Sequence, residues 1–143
     1  MTRTPSSPAP LPAADVSEAL AAFWRERHYA TLTTLRPGGT PHVVPVSVTF
    51  EPGTATARVV SRRTSKKVRN IAAAGAEGMR VALCQVDGGR WSTLEGRARV
   101  REDADAVSDA ERRYEERYGR RPRPNPERVL IEIAVDRTMG RGV

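Results

Sequence analysis

The chain is poor in the residues that most enzymes use for chemistry: one cysteine, two histidines, and two phenylalanines, two tryptophans and three tyrosines in 143 residues. A single thiol, Cys84, excludes an intrachain disulfide. Its place in the apolar run Val81-Ala82-Leu83-Cys84 reads as a packed, reduced side chain with no base beside it to make it a nucleophile. His28 and His42 are too far apart, and too short of companion ligands, to suggest a metal, and none is expected. No catalytic triad or paired carboxylates can be read from the spacing, so the catalytic residue is left unknown and no general acid is assigned. No apolar run approaches the roughly 20 residues of a membrane-spanning helix, and the N-terminus lacks the apolar core of a secretion signal. A soluble, cytoplasmic protein with no membrane partner is expected.

Positive charge is abundant. Lysine and arginine number 24 against 17 acids, for a net charge of +7 and a pI near 10.6. Such a balance suits any polyanion. Nucleic acid is disfavoured as a partner, because the arginines are scattered and the few aromatics do not interleave with them as a stacking platform would. The cations do concentrate in Arg58-Val59-Val60-Ser61-Arg62-Arg63-Thr64-Ser65-Lys66-Lys67-Val68-Arg69-Asn70, where a predicted strand turns into a predicted helix. Free N–H groups and the positive end of the dipole already favour an anion at a helix start. Lys66 and Lys67 lie four and three positions before Asn70, so they share a face with it, and a phosphate or polycarboxylate site is expected there.

Two segments are expected: a disordered proline-rich leader over residues 1–14 and a single domain over residues 15–143. Val16, Leu20, Phe23 and Trp24 recur at helical spacing after Asp15 or Ser17 as N-cap, and the two aromatics read as core. Tyr29 to Leu35, Pro41 to Phe50 and Ala55 to Ser61 read as three strands of a meander, separated by the turn signals Arg36-Pro37-Gly38-Gly39-Thr40 and Glu51-Pro52-Gly53-Thr54. The basic helix runs from Ser65 to Ala74 and stops at Gly75. A hairpin follows, Arg80 to Val86 and Trp91 to Val100, then a helix over Asp103 to Tyr118, a stiff connector with Pro122, Pro124 and Pro126, and a central strand over Val129 to Val135. Six strands with interspersed helices predict a mainly β protein with α: an antiparallel barrel whose helices cover its openings.

The order of elements, with Leu32-Thr33-Thr34-Leu35-Arg36, Pro41-His42-Val43-Val44-Pro45-Val46 and Ser65-Lys66-Lys67-Val68-Arg69-Asn70, resembles the split β-barrel superfamily of pyridoxamine phosphate oxidase. Within it the chain is similar to the flavin/deazaflavin oxidoreductases that use coenzyme F420. Gln85 to Ala98 and Arg113 to Pro126 are closer still to the branch that reduces biliverdin. The resemblance implies a six-stranded antiparallel split β-barrel of the FMN-binding type with flanking helices, and a homodimer with cofactor sites at the interface. It implies hydride transfer from reduced F420 to a conjugated acceptor, biliverdin to bilirubin, with a biliverdin-like tetrapyrrole as the small-molecule partner. FMN with pyridoxamine phosphate oxidase-like chemistry, or non-catalytic binding of F420 or a tetrapyrrole, stands as the alternative.

The resemblance also distributes roles. Lys67 and Asn70, helped by Ser65 and Lys66, would hold the cofactor phosphate. His42, Val43, Val44 and Pro45, with Val59, Val60 and Ser61, would line the tricyclic ring, the valines as an apolar shelf. Gln85, Trp91 and Asn125 complete the cofactor set, with Trp91 and the Pro122 to Asn125 connector closing the pocket from the second subunit. Arg36, Arg62, Arg63, Arg121 and Arg123 are the cations for substrate carboxylates. His42 is read either as a ligand contact or as a strand histidine satisfied by its neighbour, and Trp91 either as core or as pocket wall.

Overall fold

In the computed structural model, which describes residues 15–143, the period-2 alternation of the sequence becomes a seven-stranded antiparallel sheet. The elements run α1 (Glu18–Phe23), β1 (Ala30–Leu35), β2 (Pro41–Val46), β3 (Thr49–Glu51), β4 (Thr56–Arg62), α2 (Lys66–Ala73), β5 (Met79–Asp87), β6 (Arg90–Arg101), α3 (Ala104–Tyr118) and β7 (Arg128–Arg141). The leader over residues 1–14 lies outside the described residues. Across the sheet the order is β2-β1-β5-β6-β7-β4-β3. β7 is central, as its apolar run requires, and Leu32, Leu83, Leu94, Ile131 and Ile133 are fully buried on the inner face. Each such side chain contributes about 1.5–3 kcal/mol by leaving water. Among the described residues no helix is long and apolar enough to cross a membrane.

Two expectations are corrected. The stretch from Pro41 to Phe50 is not one strand of a meander but two strands, β2 and β3, at opposite edges of the sheet. The strand count is therefore seven rather than six, and the barrel is not closed. β2 pairs with β1 and β3 with β4. Only Ser47 and Val48 join the two edges, a link of about 10 Å at most, so the sheet must curl until its edges nearly meet. Val48 cannot extend a ladder, because both of its backbone groups are already taken. Its N–H donates to Tyr118 Oη at 3.0 Å, and its carbonyl accepts from Tyr118 Oη and from the Arg117 guanidinium.

Those two α3 residues fasten the seam to the rest of the core. The Arg117 guanidinium also donates to the Glu26 carbonyl, at 2.6 and 3.1 Å, and to Gln85 Oε1 at 2.7 Å. Gln85 Nε2 donates to the Phe23 carbonyl at 2.9 Å, and Trp24 Nε1 to Ser92 Oγ at 2.9 Å. Phe23 and Trp24 are both 1 % exposed, as the helical spacing predicts. Elsewhere a bulge at Glu95/Gly96 brings β6 so close to β7 that a Cβ on Gly96 would lie 2.1 Å from the Ala134 carbonyl oxygen.

Because the pleat alternates, β4 presents Val59 to the main core and Val60 to the opposite face, where Val60 packs with Val107, Ala110 and Leu130 beneath α3. α3 starts at Asp103, whose carboxylate accepts from the Ala106 N–H, and stops at Gly119 in the left-handed region at φ 74°.

Tyr118→Phe leaves the ring in place and strips Val48 N–H of its acceptor at a buried seam. The expected cost is about 1–3 kcal/mol, read as a lower midpoint in chemical denaturation; an unchanged midpoint refutes the clamp.

Candidate cofactor groove

The junction predicted to favour an anion is built by a helix cap that does not cap. Ser65 has the extended backbone of an N-cap (φ −67°, ψ 149°), yet its hydroxyl makes no bond into α2. It lies 2.9 Å from Ser61 Oγ on β4 instead. The first-turn N–H groups of α2 are therefore left without a side-chain acceptor. Val68 and Ile71 bury the inner face of the helix, which turns Lys67 toward the end of β4. Lys67 is half-buried, and desolvation first, then the Arg62 charge, lowers its pKa from 10.5.

Beside Lys67 lies a groove of ≈ 370 Å³. One wall is Pro45, Val46 and Ser47 at the end of β2; the other is Val59, Val60, Ser61 and Arg62 of β4. Tyr114 of α3 and the connector residues Pro122, Arg123 and Asn125 close it, with Arg128 at the start of β7. Four cations line it, Arg62, Lys67, Arg123 and Arg128, and no acid among the described residues does. Arg62 and Arg128 stand directly opposite each other in the β4–β7 register, a like-charge pairing that is unfavourable by itself. Arg128 is steadied by Glu111 at 3.0 Å and by the Arg123 carbonyl at 2.6 Å. The arrangement is a cationic cleft with an apolar side, suited to a flat ring that carries an anionic arm.

The groove therefore gathers Pro45, Val59, Val60, Ser61, Arg62, Lys67, Arg123 and Asn125 from the residues that the sequence singled out. The connector reaches it within one chain, so closure by Pro122 to Asn125 needs no second subunit. The others lie elsewhere. Val43 is 55 % exposed on the outer face while Val44 packs against the core, so the expected valine shelf is divided by the pleat. Gln85 is fully buried and spent on Phe23 and Arg117, which removes it from any ligand surface. Trp91 is half-buried on the outer face of β6, opposite Val86.

Lys66 is half-buried and is not among the residues that line the groove. Asn70 is 1 % exposed and donates to Thr34 Oγ1 at 3.0 Å, with its Oδ1 unpartnered. His42, the partner of Thr34 across β1–β2, has a buried and unpartnered Nδ1. Desolvation, then Arg36, Lys67 and Lys66, holds its pKa below 6.5, so the ring is neutral at pH 7. Three predicted substrate cations have other work: Arg36 donates to the Pro41 carbonyl, Arg63 to Glu102 at 2.9 Å and Arg121 to Glu115 at 2.9 Å.

Sequence reasoning missed Val46, Ser47, Tyr114 and Arg128. Tyr114 was legible only as a helix-face residue, and nothing local signals that Arg128 lies across from Arg62. It also missed that Glu26, His28 and Asp87 converge. Their cation is Arg90, which donates to Glu26 at 2.8 Å through both amino nitrogens and to Asp87, and which with His28 holds the Glu26 pKa at about 2.

Because Lys67 binds its proton less tightly folded than unfolded, its charge weakens the ligand-free fold at neutral pH, and that cost fades as pH rises. Lys67→Met should raise the melting temperature of the ligand-free protein and weaken pyrophosphate binding at least about tenfold. In the unaltered protein that binding should decline as pH rises through a value below 10.5. Calorimetric titration across pH reads both, and pH-independent affinity excludes Lys67 from the site.

Comparison with known proteins places these features in context. Residues 16–140 match the family pattern of pyridoxamine 5′-phosphate oxidase. An F420H(2)-dependent biliverdin reductase of Mycobacterium tuberculosis (strain CDC 1551 / Oshkosh) is 53 % identical over 125 residues, covering 87 % of this chain and 88 % of that one. Among solved structures, an F420 reductase superposes with TM-score 0.69 at 23 % identity, over 87 % of this chain and 98 % of its own. A conserved hypothetical protein of Mycobacterium tuberculosis superposes with TM-score 0.72 at 23 % identity, over 97 % and 89 %.

Proposed function

Because this chain belongs to the pyridoxamine 5′-phosphate oxidase family, we propose that it is an F420H2-dependent oxidoreductase that reduces biliverdin to bilirubin. It is an enzyme, and its cofactor is coenzyme F420. The observation that carries the reading on this chain's own residues is the acid-free cationic groove with an apolar wall. Reduced deazaflavin, when bound, supplies the hydride. Binding, orientation and the exclusion of water fall to the protein.

The free N–H groups of α2 with Lys67 and Arg62 hold phosphate, and the cations from Arg62 to Arg128 and Arg123 extend that grip along an anionic tail. That spread over α2, β4, β7 and the connector exceeds what one short phosphate arm needs, which favours F420 over FMN. Val46 and Pro45 against Val59 and Val60 flank the ring, and Tyr114 with Pro122 excludes water from it. His42 and Asn70, each with an unpartnered buried atom and each next to Thr34, stay in the proposed cofactor set. No side chain is positioned as an evident acid, so the proton that accompanies the hydride comes from solvent.

Residues 15–143 act as one domain in this reading, and its working form is a homodimer. The outer face supports this. A row of uncharged residues, Pro45, Thr31, Cys84, Thr93 and Met139, runs in register across β2, β1, β5, β6 and β7. Beside it lie Val43, 55 % exposed, and Val86, 61 % exposed. A second copy of this sheet face is a partner of matching chemistry.

Two measurements test these readings. Mixing the protein with reduced F420 and biliverdin should give matched cofactor oxidation and bilirubin formation, and side-by-side titration should show F420 binding more tightly than FMN; tighter FMN binding reverses the cofactor assignment. In light scattering the unaltered protein should have twice the 15.7 kDa chain mass, and Thr33→Arg, in the centre of that face, should return it to one chain. A Thr33→Arg protein that keeps the larger mass removes this face from the interface.

A further inference from the structure

A second cavity of ≈ 500 Å³ opens beside the groove, lined by Arg27, His28, Tyr29, Tyr118 and Arg120. Tyr29 is 64 % exposed, and its ring lies nearly parallel to that of Tyr118, at 18° with centroids 6.5 Å apart. Tyr118 meets Tyr114 at 5.0 Å, and Tyr114 is a wall of the cofactor groove. The backbone gives the same adjacency independently. Ala30 faces Val46 across β1–β2, so Tyr29 precedes that pair just where Ser47, another groove residue, follows it. A track of three tyrosines therefore connects the two cavities.

At the outer end stand two cations. Arg27 passes beside Gly119 at the end of α3, 3.6 Å from where a side chain there would begin, and Arg120 follows in sequence. Neither has a carboxylate partner among the described residues, whereas the neighbouring Arg121 is paired with Glu115. An exposed tyrosine gives a flat conjugated molecule a surface at little entropic cost, and a guanidinium matches a carboxylate with two parallel bonds.

We infer that this second cavity is the outer half of the acceptor site, where Tyr29 carries the face of a flat conjugated acceptor and Arg27 and Arg120 take its carboxylates. This rests on the tetrapyrrole reading above and names the residues that set its specificity. The cations of the groove are engaged by the anionic tail of the cofactor, so the two propionates of a linear tetrapyrrole need a separate pair. Arg27 and Arg120 supply it at the far end of the tyrosine track, while Arg36, Arg63 and Arg121 are bonded elsewhere. Discrimination by charge then precedes any chemistry at the ring.

The test is equilibrium titration of the protein with biliverdin and with biliverdin dimethyl ester, followed by bilin absorbance and accompanied by steady-state kinetics. The unaltered protein should bind the diacid about tenfold tighter than the diester. The Arg27→Ala/Arg120→Ala double variant should lose that preference, with the defect in KM for biliverdin rather than in the affinity for F420, and Tyr29→Ala should weaken diacid and diester alike. A double variant that keeps both the affinity and the preference overturns the inference even if biliverdin is reduced. Diacid-selective binding that depends on Arg27 and Arg120, without turnover, upholds the site and overturns the reductase reading instead. Failure of the unaltered protein to bind biliverdin overturns both.

Discussion

The fold depends on how two backbone groups of Val48 are satisfied. A sheet whose first and last strands are joined by two residues has to bend back on itself, and at the bend a short piece of chain must leave one edge and enter the other without a ladder. An unpaired N–H or C=O in that position costs more than an ordinary hydrogen bond contributes. Tyr118 and Arg117 remove the penalty, and they do so from the last turn of α3, so a helix more than 60 residues away in sequence holds the link between the two edges of the sheet. Arg117 then extends the same network to Gln85, the Glu26 carbonyl and, through Gln85, to Phe23.

The groove is a by-product of that bend. Curling the sheet brings the end of β2, with Pro45 to Ser47, opposite the end of β4, with Val59 to Arg62. The start of α2 lies at the same rim, because it follows β4 after a three-residue link. α3, held against the seam by Tyr118, places Tyr114 one turn back, over the cleft. The same tyrosine pair lies between the groove and the second cavity, one ring lining each. Architecture and ligand surface thus share residues, and the clamp cannot be loosened without moving a wall of the site.

Electrostatics separates the two uses of arginine in this chain. Many of the described arginines are paired with acids: Arg90 with Glu26 and Asp87, Arg80 with Asp136, Arg101 with Asp103 and Glu132. Arg62 and Lys67 face each other at the groove without an acid among the described residues, and Lys67 feels this as a lowered pKa. A site that is repulsive when empty is preorganised for an anion, since the unfavourable part is already present before binding.

Local pattern alone determined the helices, the basic strand-to-helix junction, the central place of β7 and the burial of Phe23 and Trp24, because each depends on a period or a cap written within a few residues. The motif at Ser65 to Asn70 led directly to Lys67 and the start of α2. It could not show that Asn70 is buried and bonded to Thr34, since which side of a short helix is buried depends on another strand. The division of Pro41–Phe50 into two edge strands was invisible, because its cause is the claim that Tyr118 and Arg117 lay on Val48. Gln85 changed role, and Arg128 and Tyr114 went unassigned, for the same reason: their partners, Arg117, Arg62 and Tyr118, are set by register and by curl. Sequence determined which chemistry was available, and tertiary structure decided which of those side chains meet, because hydrogen bonds between distant segments are satisfied only after the sheet has curled and brought those segments together.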